Sequence, residues 1–513
     1  MEHGSESYYV LGEGLLGESL GGREPTLART AEAETPPFRF SRLGPKGGGK
    51  QIPEGTRKAL AEAMAVAGGG SGSVPSGFTY LGQFIDHDLT FDKTNVMLGE
   101  HVAPSALLQA RSPSLDLDSL YGAGPGDPGS EQFYEADGLH LKMGKTASGD
   151  GLASKAGFDL PRGAGSTVGA KRKAIIPDPR NDENLAVAQT HLAMIRFHNR
   201  VVDKLGGPVG TRFERARKRV TKHYQWMIRT DFLPRICEAS VVNDVFTNGR
   251  KAFEVGAAPT DVPTMPIEFS VAAYRLGHSM VRGSYNWNKI FDDGFGTLDL
   301  LFAFSSTSGD LGGFPRLISS WIADFRRLYD FPAGGHATLG VPAAKFNRAM
   351  RIDTRIVNPL QFLPGFSGLE SNLAFRNLTR ANMVRLATGQ QMVAFLRSKG
   401  IAITKLTKAQ LHEGDGGADL SGLTKTRRQR ILADTPLWFY ILREAELNGG
   451  KLTGVGARIV AETFHRAMEG SEHSIVRDPA FRPMLGPNNT TFRMTDLLFF
   501  AFEGKKTLLA PLG

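Results

Sequence analysis

Between Phe78 and Phe91 the chain reads Phe-Thr-Tyr-Leu-Gly-Gln-Phe-Ile-Asp-His-Asp-Leu-Thr-Phe, an apolar run carrying Gln83, Asp86, His87 and Asp88. Two carboxylates beside an imidazole in apolar surroundings cost free energy unless they pair or bind something. A histidine so placed is an acid–base group for chemistry near neutral pH. The competing reading is a polar cluster at the exposed end of a helix. His278 stands in Tyr274-Arg275-Leu276-Gly277-His278-Ser279-Met280, where Gly277 permits close approach of another group, such as a flat cofactor. Taken alone, a hydrogen-bonded core histidine is the plainer reading of that segment. The chain has twelve histidines, so company rather than residue type selects these two.

Arg180 and Glu183 lie in Arg180-Asn181-Asp182-Glu183-Asn184. A guanidinium is always protonated and suits developing negative charge. A capping box that uses Glu183 at a helix start is the alternative. In Ser112-Pro113-Ser114-Leu115-Asp116-Leu117-Asp118 oxygen-bearing side chains alternate. That spacing either turns hard oxygens toward one cation, as calcium requires, or gives an exposed strand one polar face.

Elements must position these groups, and helical periodicity dominates. The clearest pattern runs from Asp182, a plausible N-cap, to Leu205, with Leu185, Leu192, Ile195, Val202 and Leu205 at helical spacing. A second helix is expected over 211–235, ending near Pro234, and others over 262–280, 314–328, 376–398, 424–447 and 452–469. Residues 122–170 read as a long loop region. Residues 1–75 read as an extended arm lying on the body, partly disordered, with a flexible connector at Gly68–Ser73. The expected class is mainly α: one large helical domain over 76–513, with few short strands and long loops.

The 513 residues are 41% hydrophobic and 22% charged, which supports a large core in a globular protein. One cysteine, Cys237, rules out an intrachain disulfide and a thiolate zinc cluster. The net charge of +9 is spread along the chain apart from Arg212, Arg215, Arg217, Lys218, Arg219 and Lys222. No nucleic-acid-binding motif accompanies that group, so a solvated helix face is expected and nucleic acid is not. No window is apolar enough to span a membrane. The first residues lack a basic stretch followed by an apolar run, so no Sec signal is expected. The compartment is open between cytoplasm and export by a route without an N-terminal signal.

Taken together and in this order, these segments resemble the animal-type haem peroxidases of the peroxidase–cyclooxygenase superfamily, the group of myeloperoxidase and lactoperoxidase. The lack of disulfides and signal fits a bacterial member. The resemblance implies a b-type haem with His87 as distal acid–base, Gln83 ordering distal water or halide, and Arg180 as the distal arginine. Asp86 and Glu183 would be ester-linked to the haem. Asn184 stands where myeloperoxidase has a methionine, so a sulfonium link is not expected. Asp88, Ser112, Ser114 (through its carbonyl), Asp116 and Asp118 would bind calcium, with Asp118 replacing a serine of the mammalian enzymes.

In the same resemblance His278 is the iron ligand, with Arg275 close by as in the peroxidases. Asn377 would accept the proximal N–H, and Arg380 would pair with a propionate. The family's Arg-Asp-His-Gly run is absent downstream; Ala381-Asn382-Met383-Val384-Arg385 replaces it. The implied reaction is reduction of hydrogen peroxide through a ferryl intermediate that oxidises halides, thiocyanate or small organic donors, anionic or aromatic. Two rivals stand beside it. A fatty-acid dioxygenase of the same superfamily would want a tyrosine where Arg275 stands; Tyr274 is one residue out of step. A non-catalytic haem- or calcium-binding adhesion protein would not need both His87 and Arg180.

Overall fold

In the computed structural model, residues 38–48, 51–66, 70–94, 96–153 and 155–513 are described throughout, with the backbone of 8–10 and 13–16. The long helix is Leu185–Lys204, and all of it but Arg200, Asp203 and Lys204 is buried. Leu185, Leu192, Ile195 and Val202 face the core as their spacing requires. Its N-cap is Asn184, whose Oδ1 accepts from Val187 N at 2.9 Å. Asp182, the cap expected from sequence, instead accepts from Arg162 and Ser306 and joins two loops to the helix start. Around this helix pack the Gly77–Leu89, Arg212–Met227 and Met494–Ala501 helices.

Arg212–Met227 runs through a wide turn, Ile228–Phe232, into Leu233–Ile236. Pro234 has no N–H to donate, and the wide turn ahead of it absorbs the missing bond. The other expected helices break where local chemistry interrupts the period. Over 262–280 three single turns form, Ile267–Ser270, Ala273–Leu276 and Gly277–Met280, with a non-helical Ala272 between the first two. Over 314–328 there are only the turns Ser319–Trp321 and Phe325–Arg327, the second opened by the Asp324 carboxylate. Leu373–Met383 and Gly389–Ser398 are separate because Arg385 takes φ 47° and Thr388 opens a capping box. Pro436 divides Lys425–Ala433 from Leu437–Leu447. Gly454–Glu469 forms as expected.

Among the described residues strands occur only in pairs. Phe40–Ser41 lies parallel to Met265–Pro266, Ala65–Val66 parallel to Ile356–Val357, and Ser71–Pro75 antiparallel to Arg348–Met350. These pairings, with the helix Glu54–Met64, change the picture of the arm. Thr56, Leu60, Ala61 and Met64 are buried, and the helix packs on Leu373–Met383. The described part of 38–75 is therefore laid down as helix and strand on the body. Most of 1–37, and Gly68 and Gly69 of the expected connector, lie outside the described residues. Among the described residues the 122–170 region holds the single turn Glu131–Phe133, the pair Gly144–Lys145 with Phe158–Asp159 and the short helix Val168–Arg172. Asn199 clamps it by bonding both backbone groups of Leu141 at 2.8 Å.

Candidate active site

On the Gly77–Leu89 helix, Gln83, Asp86 and His87 stand at i, i+3 and i+4, which puts them on one face. His87 is fully buried. Its Nδ1 lies 2.9 Å from Asn181 Oδ1. The amide oxygen accepts, so Nδ1 carries the proton and Nε2 keeps its lone pair. Nε2 has no hydrogen-bond partner among the described residues and stands 3.6 Å from Glu183 Oε1. Burial, and then the charge of Arg180, push His87 down to about 3. The exposed helix-end reading of this cluster does not hold.

Glu183 is also fully buried, and burial raises its carboxyl well above the usual range. Oε1 accepts from Gln83, and Oε2 has no partner among the described residues. Glu183 thus faces Gln83 rather than capping a helix. Asn184 Nδ2 donates to Gln83 Oε1 at 3.0 Å, which fixes the amide from its other end. Asp86 is raised by burial against the opposing charge of Arg275, whose Nη1 is 3.9 Å from Asp86 Oδ2. That carboxylate oxygen likewise has no hydrogen-bond partner among the described residues.

Arg180 is held by Asp178, a residue that the sequence reading passed over. Arg180 Nε donates to Asp178 Oδ1 at 3.0 Å and Nη2 to Oδ2 at 2.7 Å. Nη2 also reaches the carbonyls of His87 and Thr90, at 3.0 and 2.6 Å. The guanidinium lies 4.3 Å over the Phe91 ring, and Nη1 alone of its nitrogens has no partner among the described residues. Asn181 was missed as well; it sits beside Arg180 in the same short turn, Pro179–Asp182, and orients His87.

Across a narrow cleft from Gln83 and Asp86 stands His278, between Leu276 and Met280, with Phe232 and Tyr274 on the walls. His87, Arg180 and Glu183 do not line this cleft. Asn377 Nδ2 is 2.8 Å from His278 Nδ1. The expected contact has the amide oxygen there, and a half-turn of the amide exchanges the two ends. The Trp438 indole stands edge-on to His278 at 6.3 Å and donates to the Arg275 carbonyl at 3.3 Å, fixing the segment. A second cleft is lined by Arg275, Arg380 and Asp92 among apolar Val102, Val271 and Met383. Arg385 turns elsewhere, toward a separate surface cleft with Arg57, Gln51 and Asp434.

The Ser112–Asp118 segment is a mostly buried loop, not an exposed strand. Leu117 takes φ 62°, which points its N–H and that of Ser119 at the two oxygens of Asp88, at 3.2 and 3.3 Å. Burial and then Asp118 push Asp88 up to about 8; burial pushes Asp118 to about 6. Asp116 faces away, accepting from Ser471 Oγ at 2.6 Å and Glu472 N at 3.0 Å. Ser112 Oγ accepts from Ser114 N, and Ser114 Oγ donates to the Gly470 carbonyl. Among the described residues Asp88, Asp116 and Asp118 do not gather three carboxylate oxygens within 4.8 Å; Glu214, Glu472 and His473 do so with their ligand atoms. Arg217 bridges that surface group by pairing with both glutamates.

No helix among the described residues is long and apolar enough to cross a membrane. The animal haem peroxidase family model matches residues 93–322, a stretch that holds Arg180, Glu183, His278 and the Ser112–Asp118 loop. Thyroid peroxidases of Rattus norvegicus and Mus musculus are each 27% identical over 179 residues, 33% of this chain and 19% of theirs. The match therefore spans about a fifth of those relatives. Peroxidase A from Dictyostelium discoideum aligns over 92% of this chain and 94% of its own, with TM-score 0.57 and 15% identity. The fatty acid alpha-dioxygenase of Arabidopsis thaliana aligns over 93% and 81%, with TM-score 0.51 and 12% identity. These two likenesses concern the fold. By sequence over 93–322 the chain is similar to the animal haem peroxidase family, and over most of its length it shares the fold of these two structures.

Proposed function

We propose that the chain is a peroxidase: it holds a b-type haem between the Gly77–Leu89 helix and His278 and uses it to reduce hydrogen peroxide at the expense of a small anionic or aromatic donor. The observation that carries this reading is the set of buried polar atoms without partners. Asp86 Oδ2, His87 Nε2, Arg180 Nη1 and Glu183 Oε2 are all buried without a hydrogen-bond partner among the described residues. Native proteins leave few such atoms, and Asp86, one of the four residues, lines the cleft opposite His278, with the other three packed behind it. The donor set fits a haem. His278 is an imidazole already oriented by Asn377. The cleft walls are apolar, and Arg275 and Arg380 are cations for acidic substituents at the edge.

His278 would ligate the iron, with Asn377 setting the basicity of its ring; Asp86 and Glu183 would form the ester links. A haem held there would carry to the donor the two oxidising equivalents that peroxide supplies. His87 Nε2 takes a proton from one peroxide oxygen and returns it to the other, which leaves as water. Asn181 keeps the opposite ring nitrogen protonated during that transfer. Arg180 Nη1 stabilises the negative charge on the departing oxygen. Gln83, tied to Glu183 and Asn184, orders water or a halide beside them. A calcium ion at Asp88 and Asp118 would brace the helix one residue past His87.

Fatty-acid dioxygenation is the second reading, favoured by one feature. The Tyr274 hydroxyl is buried in the cleft wall without a hydrogen-bond partner among the described residues, stacked on Phe269 at 4.6 Å. Haem-loaded protein assayed with peroxide plus bromide or a phenol, and separately for oxygen uptake with palmitic acid, separates the two. The peroxidase reading expects donor oxidation that falls ~10²–10⁴-fold in His87→Ala. Oxygen uptake abolished by Tyr274→Phe, without donor oxidation, would replace it.

A further inference from the structure

We infer that Asp178 is a positioning residue for the distal site: it fixes the guanidinium of Arg180 and, through Arg111, ties that guanidinium to the Ser112–Asp118 loop. The inference deepens the proposed function and rests on it. Asp178 is fully buried at the start of the turn that carries Arg180. Its Oδ1 accepts from both the backbone N and the Nε of Arg180, at 3.1 and 3.0 Å. Its Oδ2 accepts from Arg180 Nη2 at 2.7 Å and from Arg111 Nη2 at 2.6 Å. One carboxylate therefore holds the backbone and the side chain of the same arginine. Pro179 between them fixes the backbone angle and keeps the two residues in register.

With Nε and Nη2 engaged, Nη1 is the nitrogen left for a ligand. A preorganised donor stabilises developing charge without reorganising, so the clamp is part of what makes Arg180 effective. Burying two guanidiniums together needs a shared anion, and Asp178 is that anion: burial opposes its ionisation, yet Arg180 and Arg111 hold its carboxyl far below the usual range. Arg111 immediately precedes Ser112, so its hydrogen bond to Asp178 joins the start of the loop to this clamp. The charges thus alternate from Arg111 at the head of the loop through Asp178 to Arg180. A change in the loop reaches the distal guanidinium by this route.

The test compares haem-loaded parent, Asp178→Asn, Arg180→Gln and the double variant by fluoride affinity, read from the Soret shift, with haem content and circular dichroism as controls. Fluoride is an anion whose binding depends on the guanidinium and involves no turnover. Asp178→Asn is expected to weaken fluoride ~10–100-fold. In the Arg180→Gln background the same change should cost no more than about twofold, because residues acting through one another are not additive. Losses that multiply in the double variant, or a single Asp178→Asn that binds fluoride like the parent, would overturn the inference. Arg111→Gln leaves the Asp178–Arg180 pair in place and is expected to weaken fluoride ~3–10-fold. It decides the matter if Asp178→Asn does not fold, and parent-like binding in it refutes the link to the loop. A parent that takes up no haem removes the proposed function itself, and the inference with it.

Discussion

Acidifying from pH 8 to pH 5 is expected to leave the bimolecular reaction of the haem-loaded protein with hydrogen peroxide almost unchanged. The base in that reaction is His87 Nε2, which must be unprotonated. A histidine with the ordinary value near 6.5 would be about 3% neutral at pH 5, and the rate would fall ~30-fold from its plateau. Here burial first, and Arg180 second, lower His87 to about 3. At pH 5 the neutral form is then about 99% of the total. Asn181 Oδ1 accepts from Nδ1, so the neutral ring keeps the tautomer with a free Nε2. The assay is stopped-flow absorbance of the Soret band under excess peroxide at several pH values, with His87→Ala as reference. The variant should be ~10²–10⁴-fold slower, and also flat. A parent rate that drops about 30-fold with a midpoint near 6.5 would show His87 as an ordinary, solvated histidine. A His87→Ala rate equal to the parent's would remove it from the reaction.

Other outcomes follow from the same geometry. His278→Ala should lose the Soret band or shift it to a misligated form while the far-ultraviolet spectrum is kept; an unchanged band would place the iron elsewhere. Asp86→Ala combined with Glu183→Ala should release into acid acetone the haem that the parent retains; equal extraction from both proteins means that no ester forms. For calcium the sign runs through Asp88 and Asp118, raised to about 8 and about 6 from an unfolded value near 4. Such carboxyls bind more protons folded than unfolded, so chelated protein should lose stability as pH rises from about 4 through about 8. Calcium should therefore raise the melting temperature more at pH 8 than at pH 5, and an equal or absent shift at both would argue against this site.

The residues of the candidate site were legible because they lie in short runs. Gln83-x-x-Asp86-His87 puts three groups on one helical face whatever surrounds them. The pairing of His278 with Asn377, separated by 99 positions, came from the resemblance, and no local pattern announces it. Asp178 and Asn181 escaped notice because a buried carboxylate beneath an arginine reads, in sequence, as an ordinary turn residue before a proline. The Gly454–Glu469 and Leu185–Lys204 helices were legible, since uninterrupted apolar spacing suffices to define them. Segments such as 262–280 were not. Their apolar residues face a core on all sides, and single turns broken at Ala272 satisfy that burial as well as a helix does. The Glu54–Met64 helix was hidden by Gly- and Pro-rich flanks, and tertiary contact with Leu373–Met383 stabilises it where periodicity is weak.

A haem is expected to sit between the Gly77–Leu89 helix and His278 and to react with peroxide. The most direct test is the visible spectrum of protein produced with ample haem, before and after one equivalent of hydrogen peroxide. The expected result is a Soret band that changes promptly on addition and returns when a bromide or phenol donor is supplied. A protein with no Soret band despite ample haem, or with a band that peroxide leaves untouched, would contradict the account.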